Sequence, residues 1–180
     1  MKKKILLLLC LPMLIVGNES LAGQASSAGD ANAVATISQP VSLSPSEDGG
    51  LVSDGTLTFG IIIAHDTEAD VITITPSGNR THSGKAILVT SSFGPTVFDV
   101  TGAAGASYTL VLPNNGTVTI ANYAGSRMQV NNFTASAVGG TSVLGGDGKA
   151  RFSVGGSLSV AAAQPNGLYT GTFPVGVNYQ

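Results

Sequence analysis

The sequence predicts an all-β protein whose strands form an immunoglobulin-like antiparallel β-sandwich. Along most of the chain, apolar residues alternate with Ser, Thr and Gly, which is the period of a strand with one buried and one solvent-facing side. Turn residues interrupt this pattern at short intervals. No stretch after residue 22 has the i, i+3, i+4, i+7 spacing of an amphipathic helix. Two stacked sheets would bury every apolar row, which favours a sandwich over a membrane barrel with longer strands and aromatic girdles.

The first residues have the features of a secretory signal peptide. Residues 2–4 are lysines, residues 5–16 carry no charge, and residues 20–22 place small side chains before Gly23. We therefore expect residues 1–22 to be cleaved and the rest to be exported, through the periplasm to the cell surface or beyond. An uncleaved membrane anchor is the alternative, but an apolar run of twelve residues is short for a spanning helix.

The exported chain of 158 residues carries no cysteine and a net charge of −4. Cys10 is the one cysteine of the sequence and leaves with the signal peptide, so thiolate metal sites and thiol nucleophiles are excluded. Because no basic patch is visible, nucleic acid is not expected as a partner. We also expect no transmembrane segment in the exported chain.

The exported chain divides into a short extension and one domain. Residues 23–32 are small and polar and are interpreted as a flexible N-terminal extension, followed by a single β-sandwich domain over residues 33–180. Apolar rows of period two predict about nine or ten short strands. The clearest rows are Leu57, Phe59, Ile61 and Ile63; Ile72 and Ile74; Ile87 and Val89; Phe98 and Val100; and Tyr108, Leu110 and Leu112.

Three local features refine the strand pattern. The Asn-Asn-Gly turn at residues 114–116 predicts a hairpin that joins the strand ending at Leu112 to residues 118–120. A change of phase between Val130 and Phe133 predicts a bulge at residues 131–132. Residues 151–160 alternate throughout and predict one long strand with a glycine kink.

Few residues of the exported chain have the chemistry of a catalytic or metal site. His65 and His82 lie in turn-like segments, which favours solvent-exposed loop histidines over a zinc site. Asp66, Glu68 and Asp70 alternate in one turn and could offer oxygens to Ca²⁺. Three carboxylates rarely fill its shell, so a charged hairpin tip is the simpler interpretation. With no nucleophile elbow, phosphate loop or catalytic carboxylate pair, we expect no catalytic residue, no metal and no cofactor.

The C-terminal strand resembles the assembly motif of chaperone–usher pilins. It has a glycine fourteenth from the end, an aromatic residue next to last and alternating apolar residues between them. The resemblance implies a sandwich that lacks one strand. It also implies that a periplasmic chaperone fills the gap first and that the N-terminal extension of the next subunit replaces it at an outer-membrane usher. It implies an assembly groove formed by Gly167, Tyr169, Phe173, Val175, Val177 and Tyr179. It implies a donor strand formed by Ala33, Ala35, Ile37, Val41 and Leu43. The alternative is that residues 33–43 are the domain's own first strand and that the last strand pairs internally.

Most of the exported chain also resembles the domain of unknown function 4402 family of exported bacterial proteins. The matching stretches are residues 57–60 (LTFG), 71–80 (VITITPSGNR), 98–112 (FDVTGAAGASYTLVL) and 151–178 (RFSVGGSLSVAAAQPNGLYTGTFPVGVN). This resemblance implies a β-sandwich with a fimbrial or surface role, and it supplies no catalytic residues.

The sequence leaves two main functions open. The first is a non-enzymatic structural subunit of a fimbria or surface layer, which assembles with copies of itself or related subunits by β-strand complementation. The second is a self-complete secreted binding module, an adhesin or glycan-binding domain that uses loops such as residues 76–83 or 137–148. An exported hydrolase has no motif to support it.

Overall fold

The computed structural model describes residues 41–45, 55–137 and 142–180, and all of them belong to one compact unit, Ser38–Gln180. These residues form strands and connecting turns and contain no helix. The strands are β1 (Ser42–Pro45), β2 (Ile62–Ile63), β3 (Asp70–Ile74), β4 (Arg80–His82), β5 (Ile87–Leu88), β6 (Thr96–Thr101), β7 (Ser107–Val111), β8 (Val118–Ala121), β9 (Arg127–Ala135), β10 (Ser142–Val143), β11 (Lys149–Val160) and β12 (Gly176–Tyr179).

The main sheet has seven strands built around β11. Along one side, β11 pairs first with β6 and then with β3, while β9 runs along its other side; every pairing is antiparallel. Two of its residues fix this arrangement, because Val154 pairs with both β6 and β9, and Ser157 pairs with both β3 and β9. Strands β1, β4 and β8 lie outside β6, β3 and β9 respectively.

Two smaller sheets form the second layer, and each is associated with its own part of the core. The sheet β10-β7-β12 contributes to one cluster, and the β2-β5 sheet contributes to the other. The first cluster contains Val100, Tyr108, Ala135, Leu144, Phe152 and Val154. The second contains Phe59, Ile72, Ile74, Ala86, Val118, Val130, Leu158 and Val160. Since burying each large apolar side chain contributes about 1.5–3 kcal/mol, these two clusters hold the layers together. The predicted all-β antiparallel sandwich is confirmed.

Strand β11 confirms the long glycine-containing strand expected at residues 151–160. Its inward row is buried, whereas Lys149 and Arg151 on the other face are exposed. Gly155 is required because β3 leaves the sheet beside it. A Cβ at this position would collide with the carbonyl oxygen of Ile74, and the backbone of residues 75–76 lies almost as close.

The bulge predicted at residues 131–132 is also confirmed. Gly155 pairs with Thr134 and Ser157 pairs with Asn131, so β9 has one more residue than β11 over this interval. Asn132 takes up the extra residue with a φ of 48°, in the left-handed region that asparagine tolerates better than most residues. The bulge restores the phase of the buried face and places Phe133 against the core.

The hairpin predicted around residues 114–116 is wrong. Strand β7 pairs with β10 and β12, and β8 pairs with β9, so the turn carries the chain from the second layer to the main sheet. The turn itself has the backbone geometry expected for an Asn-Asn-Gly sequence. The N–H of Thr117 donates to the carbonyl of Asn114 at 3.3 Å, and Gly116 has a φ of 79°. The N–H of Gly116 also donates to Asn131 Oδ1 at 2.7 Å, which fixes the turn to β9 rather than joining β7 to β8.

Candidate functional site

The C-terminal tail, residues 167–180, runs from the main sheet to the second layer. At Thr170 it bonds to Ala121 of β8 through two backbone hydrogen bonds of 2.9 and 3.0 Å. At its end, β12 pairs with β7, and the N–H of Gln180 donates to the carbonyl of Ser107 at 3.0 Å. Among the strands that the structure describes, β7 is the one that pairs with β12. The tail therefore contributes to both layers at one side of the sandwich.

The predicted groove residues of the tail fall into two groups. Val175 and Val177 pack against the core cluster beneath β7. The hydroxyl of Tyr179 accepts a hydrogen bond from the N–H of Ala103 at 3.2 Å. These three side chains are thus part of the domain's own core and of its edge. The other three, Gly167, Tyr169 and Phe173, line a groove, and the Phe173 ring packs on Phe133 at a centroid distance of 4.9 Å.

This tail groove lies between the tail side, residues 163–173, and an extended segment, residues 55–64. It consists of two clefts of about 400 and 590 Å³ that share Ile120 and Tyr169. The floor is apolar and comes from the inward side chains of four main-sheet strands: Phe98, Val118, Ile120, Met128, Val130, Leu158 and Val160. The floor and the opposite wall could not be located from the sequence, because they come from segments far apart in the chain.

Two backbone edges border the tail groove. The N–H of Val89 donates to the carbonyl of Ile61 at 3.1 Å, so the alternation of an antiparallel ladder directs the backbone groups of Ile62 away from β5. Thr170 directs its groups to β8, so its neighbours Tyr169 and Gly171 direct theirs to the opposite side of the tail. An extended segment between these edges would meet hydrogen-bonding groups on both sides.

Gly171 and Arg80 position the two walls of the tail groove. A Cβ at Gly171 would lie 2.7 Å from the carbonyl oxygen of Thr119, so glycine allows the tail to lie close to β8. On the other wall, the Arg80 guanidinium donates to the carbonyls of Phe59 at 3.1 Å and Val89 at 2.8 Å. Its carbon also lies 4.2 Å from the centre of the Phe93 ring. Arg80 thereby ties the wall to β4.

The predicted donor residues lie partly within the described chain. Leu43 is in β1 and pairs with Val100, and both Val41 and Leu43 pack against the core cluster beneath β7. These two side chains, one in β1 and one just before it, therefore pack in their own domain. Ala33, Ala35 and Ile37 lie outside the described residues.

The three carboxylates considered for Ca²⁺ are not brought together. Asp66 is exposed, and Glu68 forms an exposed ion pair with Lys85. Asp70 turns inward and is only 4% exposed. Its Oδ1 accepts hydrogen bonds from the N–H groups of three residues, and its Oδ2 accepts one from a fourth: Val71 at 2.7 Å, Ser83 at 3.0 Å, Gly84 at 2.6 Å and Ala86 at 2.9 Å. Within the described part of the chain, no group of three or more His, Cys, Asp or Glu residues is arranged to hold a metal.

His82 is not the loop histidine that the sequence suggested. It lies on β4 opposite Ile72, and its Nδ1 is 2.9 Å from Asp70 Oδ2. Burial by itself would raise the pKa of the Asp70 carboxyl. The hydrogen bonds from His82 and from the amides of Ala86, Gly84 and Ser83 outweigh burial and hold that pKa well below its usual range. Asp70 is therefore a charged anchor for the segment that leads to β5.

These features define an antiparallel β-sandwich domain with an apolar groove beside its C-terminal strand. The chain belongs to the family described as "Domain of unknown function (DUF4402)", whose model matches residues 50–179, and this confirms the family expected from the sequence. No curated protein and no solved structure matches the chain. None of the described segments forms a helix that is long and apolar enough to cross a membrane.

Proposed function

We propose that this protein is an exported, non-enzymatic structural subunit of a fimbria or surface layer that assembles by β-strand complementation. The observation that supports this proposal is the tail groove, which combines an apolar floor with a backbone edge on each side. An added strand gains affinity from main-chain hydrogen bonds and specificity from alternate side chains that enter the floor. The tail groove has both features within one domain.

The proposed donor is the segment from Ala33 to Ile37 of another copy. Val41 and Leu43 already pack in the core of their own domain, so they are not available to a neighbour. The sequence before them still alternates, so Ala33, Ala35 and Ile37 would share one face if the segment were added as a strand. Burial of Ile37 in the groove would contribute about 1.5–3 kcal/mol, and each added backbone hydrogen bond about 0.5–1.5 kcal/mol.

A chaperone and an usher are the further partners that this proposal implies. A subunit with an unfilled apolar groove would associate nonspecifically during export, because exposed apolar surface and unpaired strand edges promote aggregation. A periplasmic chaperone that inserts its own strand would protect the groove, and an outer-membrane usher would exchange that strand for the donor of the next subunit.

Two matched deletions test the donor. Removing residues 23–40 deletes the proposed donor and leaves Val41 and β1 in place, whereas removing residues 23–32 keeps the donor. Surface extracts of the intact protein and of the shorter deletion should give an oligomer ladder on unboiled SDS gels that collapses to one band after boiling. The longer deletion should give the monomer band alone. A ladder that persists without residues 23–40, or an intact protein that is a stable monomer, would contradict the proposal.

A substitution pair tests the groove itself. Ile120 is in the floor, and its neighbour Thr119 is exposed on the other face of β8. Ile120→Arg should abolish the ladder, and Thr119→Arg should leave it unchanged. Because Ile120→Arg also perturbs the core, circular dichroism of the exported monomer must show retained β-structure. A synthetic peptide of residues 33–40 should raise the melting temperature of the longer deletion and leave that of Ile120→Arg unchanged.

A further inference from the structure

A second cleft adjoins the tail groove at the end of the sandwich where β8 turns into β9, and residues 166–168 and 170 line both. This loop cleft, of about 520 Å³, is lined by residues 121–124, at the end of β8 and in the turn after it, and by residues 166–168 and 170. It contains the two most exposed large apolar side chains of the described chain, Tyr123, which is fully exposed, and Leu168, which is 81% exposed. Single exposed apolar residues are ordinary on protein surfaces, whereas exposed apolar residues that line the same cleft are candidates for ligand contact.

Hydrogen bonds hold the two sides of the loop cleft in place. In the turn, the N–H of Asn122 donates to the carbonyl of Ser126 at 3.0 Å, and Asn122 Oδ1 accepts from the N–H of Ser126 at 2.9 Å. Asn122 Nδ2 then donates to the carbonyl of Asn166 across the cleft at 3.4 Å, linking residues 44 apart in sequence. Gly167, with a φ of 140°, allows the tail to pass beside Asn122. The Tyr123 ring is therefore presented on a fixed turn rather than on a mobile end.

The chemistry of the lining selects the kind of ligand. No charged residue lines the loop cleft, so it offers no counter-ion to an anion or a cation. The side-chain amide of Asn166 and the hydroxyl of Thr170 make no hydrogen bond to other described residues and are available to a ligand. An exposed aromatic ring beside an amide and a hydroxyl suits a ligand with one apolar face and a polar rim.

We propose that the loop cleft binds a neutral saccharide unit, with the C–H face of one sugar ring against Tyr123. The ring hydroxyls would then exchange hydrogen bonds with the Asn166 amide and the Thr170 hydroxyl. Leu168 would cover the second edge of the sugar. This site differs from the loops at residues 76–83 and 137–148 that the sequence suggested for glycan binding. Asn166, Leu168 and Thr170 also line the tail groove, whereas Tyr123 does not, so substitution of Tyr123 tests this inference separately from strand complementation.

An array of neutral mono- and oligosaccharides tests the proposal with the exported chain biotinylated at one site and tetramerised on streptavidin. We expect binding to at least one neutral glycan. Because Tyr123→Ala removes the aromatic face that the sugar would contact, it should weaken binding by roughly two- to tenfold, while Tyr123→Phe should retain binding. Asn166→Ala should weaken binding as well, because it removes the amide.

The controls separate loss of the site from loss of the fold. Tyr123 is fully exposed, so Tyr123→Ala should have the melting temperature of the parent. The chain without residues 23–40 should bind the same glycans as the intact chain, whatever its oligomeric state. The proposal is overturned by an array with no neutral glycan bound, by binding restricted to anionic glycans, or by equal binding of the parent and Tyr123→Ala.

Discussion

Substitution of Asp70 by asparagine changes one oxygen of a buried carboxylate to an amide and removes its charge, while the size of the side chain stays the same. In the folded protein, Oδ1 accepts hydrogen bonds from the N–H groups of Val71, Ser83 and Gly84. Oδ2 accepts one from the N–H of Ala86 and lies 2.9 Å from His82 Nδ1. Asparagine can keep one set of contacts, because it has one carbonyl oxygen.

The size of the loss in the free energy of unfolding follows from the hydrogen bonds that asparagine cannot keep. If the amide oxygen takes the Oδ1 position, the side-chain NH₂ faces the N–H of Ala86, and two donors oppose each other without an acceptor. The bond to Ala86 and the charge that strengthened the others are both lost. A hydrogen bond to a charged group contributes about 1.5–3 kcal/mol, and an unsatisfied buried donor costs about 1–3 kcal/mol. We expect Asp70→Asn to lower the free energy of unfolding by about 3–5 kcal/mol.

Urea unfolding at pH 7, followed by circular dichroism, measures this change. The matched control is Asp66→Asn, because Asp66 is exposed in the same connection and should alter stability by less than about 0.5 kcal/mol. The melting temperature of Asp70→Asn should fall by roughly 6–20 °C, at 2–4 °C per kcal/mol for a domain of this size. Equal stability of the two variants would refute the reasoning, because the amides of residues 83–86 would then not depend on the carboxylate.

Three further predictions follow from the same contacts. Because the pKa of Asp70 is held below its unfolded-state value of about 3.9, its contribution to stability is present above that pH. As the pH falls below about 3.9, this contribution to the free energy of unfolding is lost, by up to about 1.4 kcal/mol per pH unit. Urea titrations from pH 6 to pH 2 should show this loss in the parent and not in Asp70→Asn. Gly155→Ala should destabilise the domain by about 2–3 kcal/mol, because the added methyl group would collide with backbone atoms. At Gly156 the nearest atoms would lie 3.4 Å from an added Cβ, so Gly156→Ala should destabilise the domain less, and thermal melting of the two variants compares them. Arg80→Met keeps an apolar stem but removes the hydrogen bonds to the groove wall, so hydrogen exchange at residues 59–62 should become faster, and unchanged protection there would exclude the anchoring role.

Which face of a strand is buried could be predicted from the sequence for part of the domain. The prediction is wrong for the β2-β5 sheet, where Ile61, Ile63 and Ile87 of the predicted apolar rows are exposed, and their neighbours Ile62 and Leu88 pack against the core. In β11 and in the C-terminal tail, the apolar residues of the alternation are the ones that face the core. The phase change at residues 131–132 likewise located the bulge, because a strand must return its apolar residues to the same face. These properties depend on local period and need no knowledge of which strand is the partner.

Strand partners and long-range contacts could not be predicted in this way. The turn at residues 114–116 determines that the chain reverses, but the partner of β8 depends on packing of the whole main sheet. In the sequence, Asp70 appeared to belong to an acidic turn. Its buried role could not be predicted, because its carboxylate oxygens accept hydrogen bonds from amides 13 to 16 residues further along the chain. The tail groove could not be predicted for the same reason, since its two walls are about a hundred residues apart in sequence and come together only in the folded protein.

The pairing of β11 also has a mechanical consequence. This strand spans roughly 40 Å, at about 3.3 Å per residue, and supplies side chains to both buried clusters. Both halves of the core therefore depend on β11. Neither half can separate from this strand without opening the other, so the domain should melt in one cooperative transition. A force applied to the C-terminal tail reaches β11 through β8 and β9 as well as through β7, so the force is distributed over both layers. In the proposed fimbrial or surface-layer subunit, this sharing of force between the layers would resist rupture under shear.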